Sequence, residues 1–102
     1  MVLRDVAHSR AGDKGSLANV SVIAFDERDF AWLLEVVTAE RVRDHLGALI
    51  AGDVRRYLLP EISAMNFVVV RPPGQSVTRT LALDAHGKSL SSALLEMPLP
   101  ER

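Results

Sequence analysis

His8, Arg10, Asp13 and Lys14 sit close together in the stretch His8-Ser9-Arg10-Ala11-Gly12-Asp13-Lys14-Gly15-Ser16-Leu17-Ala18-Asn19, with Gly12 and Gly15 flanking the Asp-Lys pair. Glycine on either side lets the backbone take positive φ and turn successive N–H groups toward an anion, to which Arg10 and Lys14 add charge. A phosphate or a carboxylate suits such a loop. The spacing G-x-x-x-x-G-K-[ST] is absent and no helix opens at its end, so a nucleotide-type phosphate loop does not fit. The plainer alternative is a surface hairpin loop in which Asp13 and Lys14 are simply solvated, and the residues leave both open.

His8 adjoins this stretch and is the candidate proton-transfer group, with Asp13 as its partner and Lys14 as a third catalytic candidate. Asn19 and Asn66 each begin or interrupt an apolar strand, where asparagine is depleted and a buried amide must find a partner. They are either ligand-facing hydrogen-bond groups or strand-end ties to a neighbouring loop. Arg79 shares a strand face with Leu81 and Leu83, so its guanidinium must reach a carboxylate, a ligand anion or solvent. No two of His8, His45 and His86 have the i, i+4 spacing of a helical metal site, and no metal or cofactor is expected.

The rest of the sequence bounds these readings. It has 102 residues, 48% of them hydrophobic and 25% charged, which suits one globular domain with an ordinary core. Zero cysteine excludes disulfides, thiol nucleophiles and iron–sulfur clusters. With 12 Lys and Arg against 13 Asp and Glu, there is no basic surplus to neutralise a run of phosphates, so a nucleic-acid binder is not expected and any anion site must be local. Aromatics at 5% also leave no paired stacking platform for single-stranded RNA. Arg4 and Asp5 stand where a signal peptide would have its apolar core, and no apolar run approaches the ~20 residues that span a bilayer. A cytoplasmic protein away from membranes is the expectation.

The elements that must position these residues follow from periodicity. Val2 to His8 alternates well enough for a short strand, Ser9 to Leu17 reads as a long loop, and Val20, Val22 and Ile23 begin a second strand. Phe30, Leu33, Leu34 and Val37 lie at helical spacing behind Asp29. Val42, Leu46, Leu49 and Ile50 repeat the stripe behind Thr38, with Gly52 as the stop and Gly47 inside it as a close approach to a strand. Val54 to Leu59, Met65 to Val70 and Val77 to Leu83 are strand-like, and Leu90, Ala93, Leu94 and Met97 form a last helical stripe ended by Pro98. Pro72-Pro73-Gly74 and Asp84-Ala85-His86-Gly87 read as turns. Residues 1–97 form the expected domain, and 98–102 an exiting tail. Moving the last strand of a βαββαβ ferredoxin-like sandwich to its front gives ββαββα, so the expected fold is a circularly permuted α+β sandwich with helices on one face of an antiparallel sheet.

Taken in order, several blocks resemble the AtuA-like ferredoxin-fold domain of the acyclic terpene utilisation proteins. They are Ala7 to Gly15, Ala18-Asn19-Val20, Leu33 to Val42, Arg56-Tyr57-Leu58-Leu59-Pro60, Met65-Asn66-Phe67-Val68, Thr78-Arg79-Thr80-Leu81 and Leu83 to Lys88. The resemblance covers nearly the whole chain and implies a ferredoxin-like fold. It also implies a role beside a larger AtuA-type protein in bacterial catabolism of branched or terpenoid acyl chains as coenzyme A thioesters. The larger protein carries an N-terminal region that this sequence lacks, so the chain is similar to the free-standing small form. Arg10, Gly12, Asp13, Lys14, Gly15, Asn19, Asn66 and Arg79 match motif positions and are the candidate binders of an anionic acyl ligand. Ala11 and Ser16 depart from the small polar and acidic residues associated with those places, which makes the stretch more electropositive.

Three readings follow. One is an accessory subunit that docks on the larger protein. Another is a self-contained hydratase or lyase. The third is a homo-oligomeric ligand-binding module, at least a dimer because an antiparallel sheet with one uncovered face has surface to bury.

Overall fold

A computed structural model describes residues 1–71 and 90–102, with Lys14 described by its backbone alone. The expected turns at Pro72-Pro73-Gly74 and Asp84-Ala85-His86-Gly87, the strand Val77 to Leu83, and with them Arg79 and His86, lie outside the described residues. The described elements are strands β1 (Ala7–His8), β2 (Ala11–Lys14) and β3 (Leu17–Ala24), helices α1 (Phe30–Val36) and α2 (Ala39–Leu46), strands β4 (Ala51–Leu59) and β5 (Ala64–Val70), and helix α3 (Leu90–Leu95).

All described strand pairs are antiparallel. The order across the sheet is β1-β3-β5-β4, with β2 continuing β1 along the same edge of β3. That is the order obtained when the last strand of a ferredoxin-like sandwich is moved to the front, with β1 and β2 together standing for the moved strand. The expected fold therefore holds: a ferredoxin-like α+β sandwich with helices on one face.

Alternation sets that face. Val20 and Val22 of β3 and Met65, Phe67 and Val69 of β5 are buried, and they pack with Leu33, Val37, Val42, Leu46 and Leu94 of the helical layer. Strand residues of the other parity point away from the helices.

Several local readings need correction. Residues 9–17 are not a long loop. Ala7↔Ala24, His8↔Ile23, Ala11↔Val20 and Lys14↔Leu17 share one uninterrupted register, so β1 and β2 form one arm of a tight hairpin. Between them the ladder is carried by Ser21, whose N–H donates to the Arg10 carbonyl at 2.8 Å and whose hydroxyl accepts the Arg10 N–H at 3.0 Å. The connection is Gly15-Ser16 alone, with Gly15 at φ 65° and Ser16 outside the left-handed region, as in a type II′ turn. Leu3–Asp5 forms a 3-10 turn where a strand was expected from Val2.

Helix α2 starts as expected, with Thr38 Oγ1 accepting the Arg41 N–H at 3.2 Å, but it stops at Gly47. Gly47 has φ 51° and a Cβ there would meet nothing within 4 Å, so it is there for its backbone conformation and not for a close approach. The C-terminal residues do not leave the fold: Val2 bridges Pro98, the Leu99 N–H donates to the Met1 carbonyl at 3.0 Å, and Leu99 is 8% exposed. Arg102 lies over the Trp32 ring and pairs with Asp29 at 2.7 Å. No described helix is long and apolar enough to cross a membrane.

Candidate functional site

Register places four of the sequence-derived candidates in two adjacent rows of one face. Across β2, β3, β5 and β4, one row reads Arg10, Ser21, Asn66, Tyr57, and the next reads Gly12, Asn19, Val68, Arg55. Asn19 and Asn66 are diagonal neighbours on adjacent strands, a distance of roughly 7 Å between backbones that their side chains can bridge. All of these positions have the parity opposite to Val20 and Phe67, so they lie on the face that the described helices leave uncovered.

The groups here are unspent. Ser21 is engaged with Arg10 backbone atoms, but the carboxamides of Asn19 and Asn66 and the guanidinium groups of Arg10 and Arg55 have no side-chain partner among the described residues. Asn66 is half-buried between Met65 and Phe67, and its amide reaches solvent without a protein partner among the described residues, so it is available to a ligand. No Asp or Glu occupies a registered position in either row, or in the flanking rows His8-Ile23-Ala64-Leu59 and Lys14-Leu17-Val70. The face is cationic and amide-bearing, and it can accept an anion with further hydrogen-bonding groups.

Gly12 serves this face through size and not through φ. Its backbone is extended, and a Cβ there would stand 3.3 Å from Asn19 Oδ1. The bare Cα lets the Asn19 carboxamide lie across the strand. The anion nest expected around Gly12 and Gly15 is therefore not formed: Gly12 belongs to a strand, and only Gly15 has positive φ.

The other candidates separate. Asp13 is on the opposite parity, opposite Ala18, with its carboxylate 3.9 Å from Arg71 Nη1. Arg71 also donates to the Gly15 carbonyl at 3.3 Å, and its backbone N–H donates to Ser16 at 2.9 Å, so it clamps the hairpin tip. Its place at the end of β5, opposite that tip, was the available signal in the sequence. His8 is on the open parity, stacked on Phe25 with ring centroids 5.5 Å apart and planes 13° apart. Five strand residues, about 16 Å, and opposite faces separate His8 from Asp13. They do not form a proton-transfer pair. Lys14 is opposite Leu17 by its backbone.

Two polar residues behind the sheet are structural. Arg56 has inward parity, and its Nη1 donates to the Leu34 and Val37 carbonyls at 2.7 and 3.0 Å, capping the C-terminus of α1. His45 Nε2 is 2.7 Å from the Ala93 carbonyl and ties α2 to α3. Among the described residues no group of three His, Cys, Asp or Glu side chains could hold a metal ion.

No curated protein and no solved structure matches the chain. The AtuA ferredoxin-like domain matches it over residues 1–100, which takes in the hairpin, both open-face rows and the packed C-terminal segment. With that match beside a permuted ferredoxin-like strand order, the chain belongs to the AtuA ferredoxin-like domain family.

Proposed function

We propose that the chain is an accessory module acting with a larger AtuA-type protein in the catabolism of branched or terpenoid acyl chains. In this reading it holds an anionic acyl ligand, a coenzyme A thioester, on its open sheet face at the seam between the two proteins. What supports it is that, among the described residues, Arg10, Asn19 and Asn66 have unpartnered side chains on one face that the described helices do not cover, with no carboxylate in register between them. The anion-binding role thus moves from a glycine loop to a sheet surface beside it. A coenzyme A ligand sets the work in the cytoplasm.

A self-contained hydratase or lyase finds less support, because acid–base chemistry needs two groups on one substrate and His8 and Asp13 diverge. Self-pairing of the chain through this face is also disfavoured, since it would oppose arginines to arginines with nothing to neutralise them. A homodimer would use another surface.

Co-expression with the AtuA-type protein encoded in the same genome, followed by mass measurement with and without an acyl-CoA, tests the reading. A mixed complex weakened at least tenfold by Arg10→Glu is expected. Elution of the chain alone with acyl-CoA present would overturn it.

A further inference from the structure

The end of the sheet farthest from the hairpin tip carries a second surface of opposite character. Phe25 follows β3 and is 64% exposed, and Ile62 precedes β5 and is 60% exposed. Both line one cleft with Asp26, Glu27, Glu61 and Ser63. Met1, Leu17, Tyr57, Leu58 and Leu59 are also exposed, but Phe25 and Ile62 are the two that share a cleft rimmed by carboxylates, which marks it as an interaction surface.

The cleft is built on fixed backbone. Ser63 has φ 52°, the only left-handed non-glycine residue among those described. Its N–H donates to the Pro60 carbonyl at 3.2 Å, and its carbonyl accepts the Ala24 N–H at 3.0 Å. This strained turn joins the Pro60–Ile62 turn to the end of β3 and holds Ile62 beside Phe25, while the His8 ring stacks on Phe25. Asp26 is engaged by Arg28 at 2.7 Å, whereas Glu27 and Glu61 have no cationic partner among the described residues.

We infer that this cleft docks a protein segment that presents an apolar anchor flanked by lysine or arginine. The Phe25–Ile62 pair would take the anchor, and Glu27 and Glu61 would meet the flanking cations. Charge decides the occupant. A second copy placed on the same patch would oppose carboxylates to carboxylates, and an anionic bilayer would be repelled by the same rim. The surface adjoins the open face through His8 but shares none of Arg10, Asn19 and Asn66, so the inference does not depend on which ligand those residues hold.

A fluorescent peptide of alternating leucine and lysine, titrated against the full chain with a leucine–glutamate peptide as control, tests it. The lysine peptide is expected to bind and to shift the Ile62 methyl and Phe25 ring resonances, and the glutamate peptide is not. Ile62→Ser should weaken binding at least tenfold. Glu27→Lys with Glu61→Lys should exchange the preference of the two peptides. All three positions are exposed, so an unchanged thermal melt checks that each variant is folded. No binding by the lysine peptide, shifts confined to other residues, or a charge-reversed variant that keeps the original preference would each overturn the inference.

Discussion

Gly12 and Asn19 face each other across the β2–β3 ladder, and the absence of a side chain at Gly12 is what leaves room for the Asn19 carboxamide, whose Oδ1 would lie 3.3 Å from a Cβ at position 12. The glycine is thus part of the open face, because it sets where an unpartnered hydrogen-bonding group lies. Gly12→Ala is expected to leave stability within about 0.5 kcal/mol of the parent, since an extended backbone accepts alanine and the exposed carboxamide can move aside. It should nevertheless weaken acyl-CoA binding several-fold. Gly15→Ala should do the reverse: nothing crowds it, but φ 65° costs an L-residue about 1 kcal/mol, read as a lower melting temperature with binding retained. Thermal melts and calorimetric titrations of the two variants check both halves.

Asn66→Leu separates a binding amide from a structural one. The Asn66 carboxamide is half-buried and has no partner among the described residues, so replacing it with an apolar side chain should hold or raise the melting temperature while removing ligand affinity. If the amide tied down a loop, the same change would cost about 1–3 kcal/mol in urea unfolding.

Arg56→Ala should destabilise the chain by about 1.5–3 kcal/mol, because two α1 carbonyls lose a charged donor behind the sheet. Arg56→Lys should recover part of this, as a single nitrogen makes both bonds. Urea denaturation reads the difference, and the ligand affinity of the folded fraction should not change.

Asp26 carries the pH prediction. Hydrogen bonds from the Arg28 side chain and backbone draw its carboxyl from the ordinary 3.8 down to about 2. A carboxyl with a depressed folded-state value adds stability that is present above its unfolded value and is lost as pH falls through the folded one. The loss should therefore run from about pH 4 to pH 2, and it should be small because the pair is at the surface. Asp26→Asn should flatten that part of a melting-temperature profile by slightly lowering the neutral plateau, with the acid end unchanged.

What the sequence made legible was what repeats along it. The alternation of Val20 and Val22 and of Met65, Phe67 and Val69 marked the inward face of two central strands, and with the helical stripes it was enough for the permuted strand order. Residues 9–17 read as a loop because Gly12, Asp13, Gly15 and Ser16 are loop formers by composition. Pairing with β3 overrides that preference, helped by a Ser21 hydroxyl that substitutes for a backbone acceptor, and such a cross-strand bond has no local signature. The candidate residues were legible as oddities, asparagines in apolar strands and arginine near glycine. Their grouping on one face required the register, which also separated Asp13 from the rest. Arg56 was invisible as a helix cap because its carbonyl partners come from another element, 19 and 22 residues away in sequence.

The central claim, that the uncovered face holds an anionic acyl ligand through its free amides, can be read from very few signals. The chain has two asparagines, Asn19 and Asn66, and one glutamine, Gln75, so its side-chain NH2 groups give three pairs of amide resonances. Titration of the 15N-labelled chain, with the AtuA-type protein present if the chain alone does not saturate, should shift the Asn19 and Asn66 pairs together on adding a branched acyl-CoA. Arg10→Glu should suppress both shifts. Unmoved Asn19 and Asn66 resonances at a concentration where acyl-CoA is bound would contradict the account.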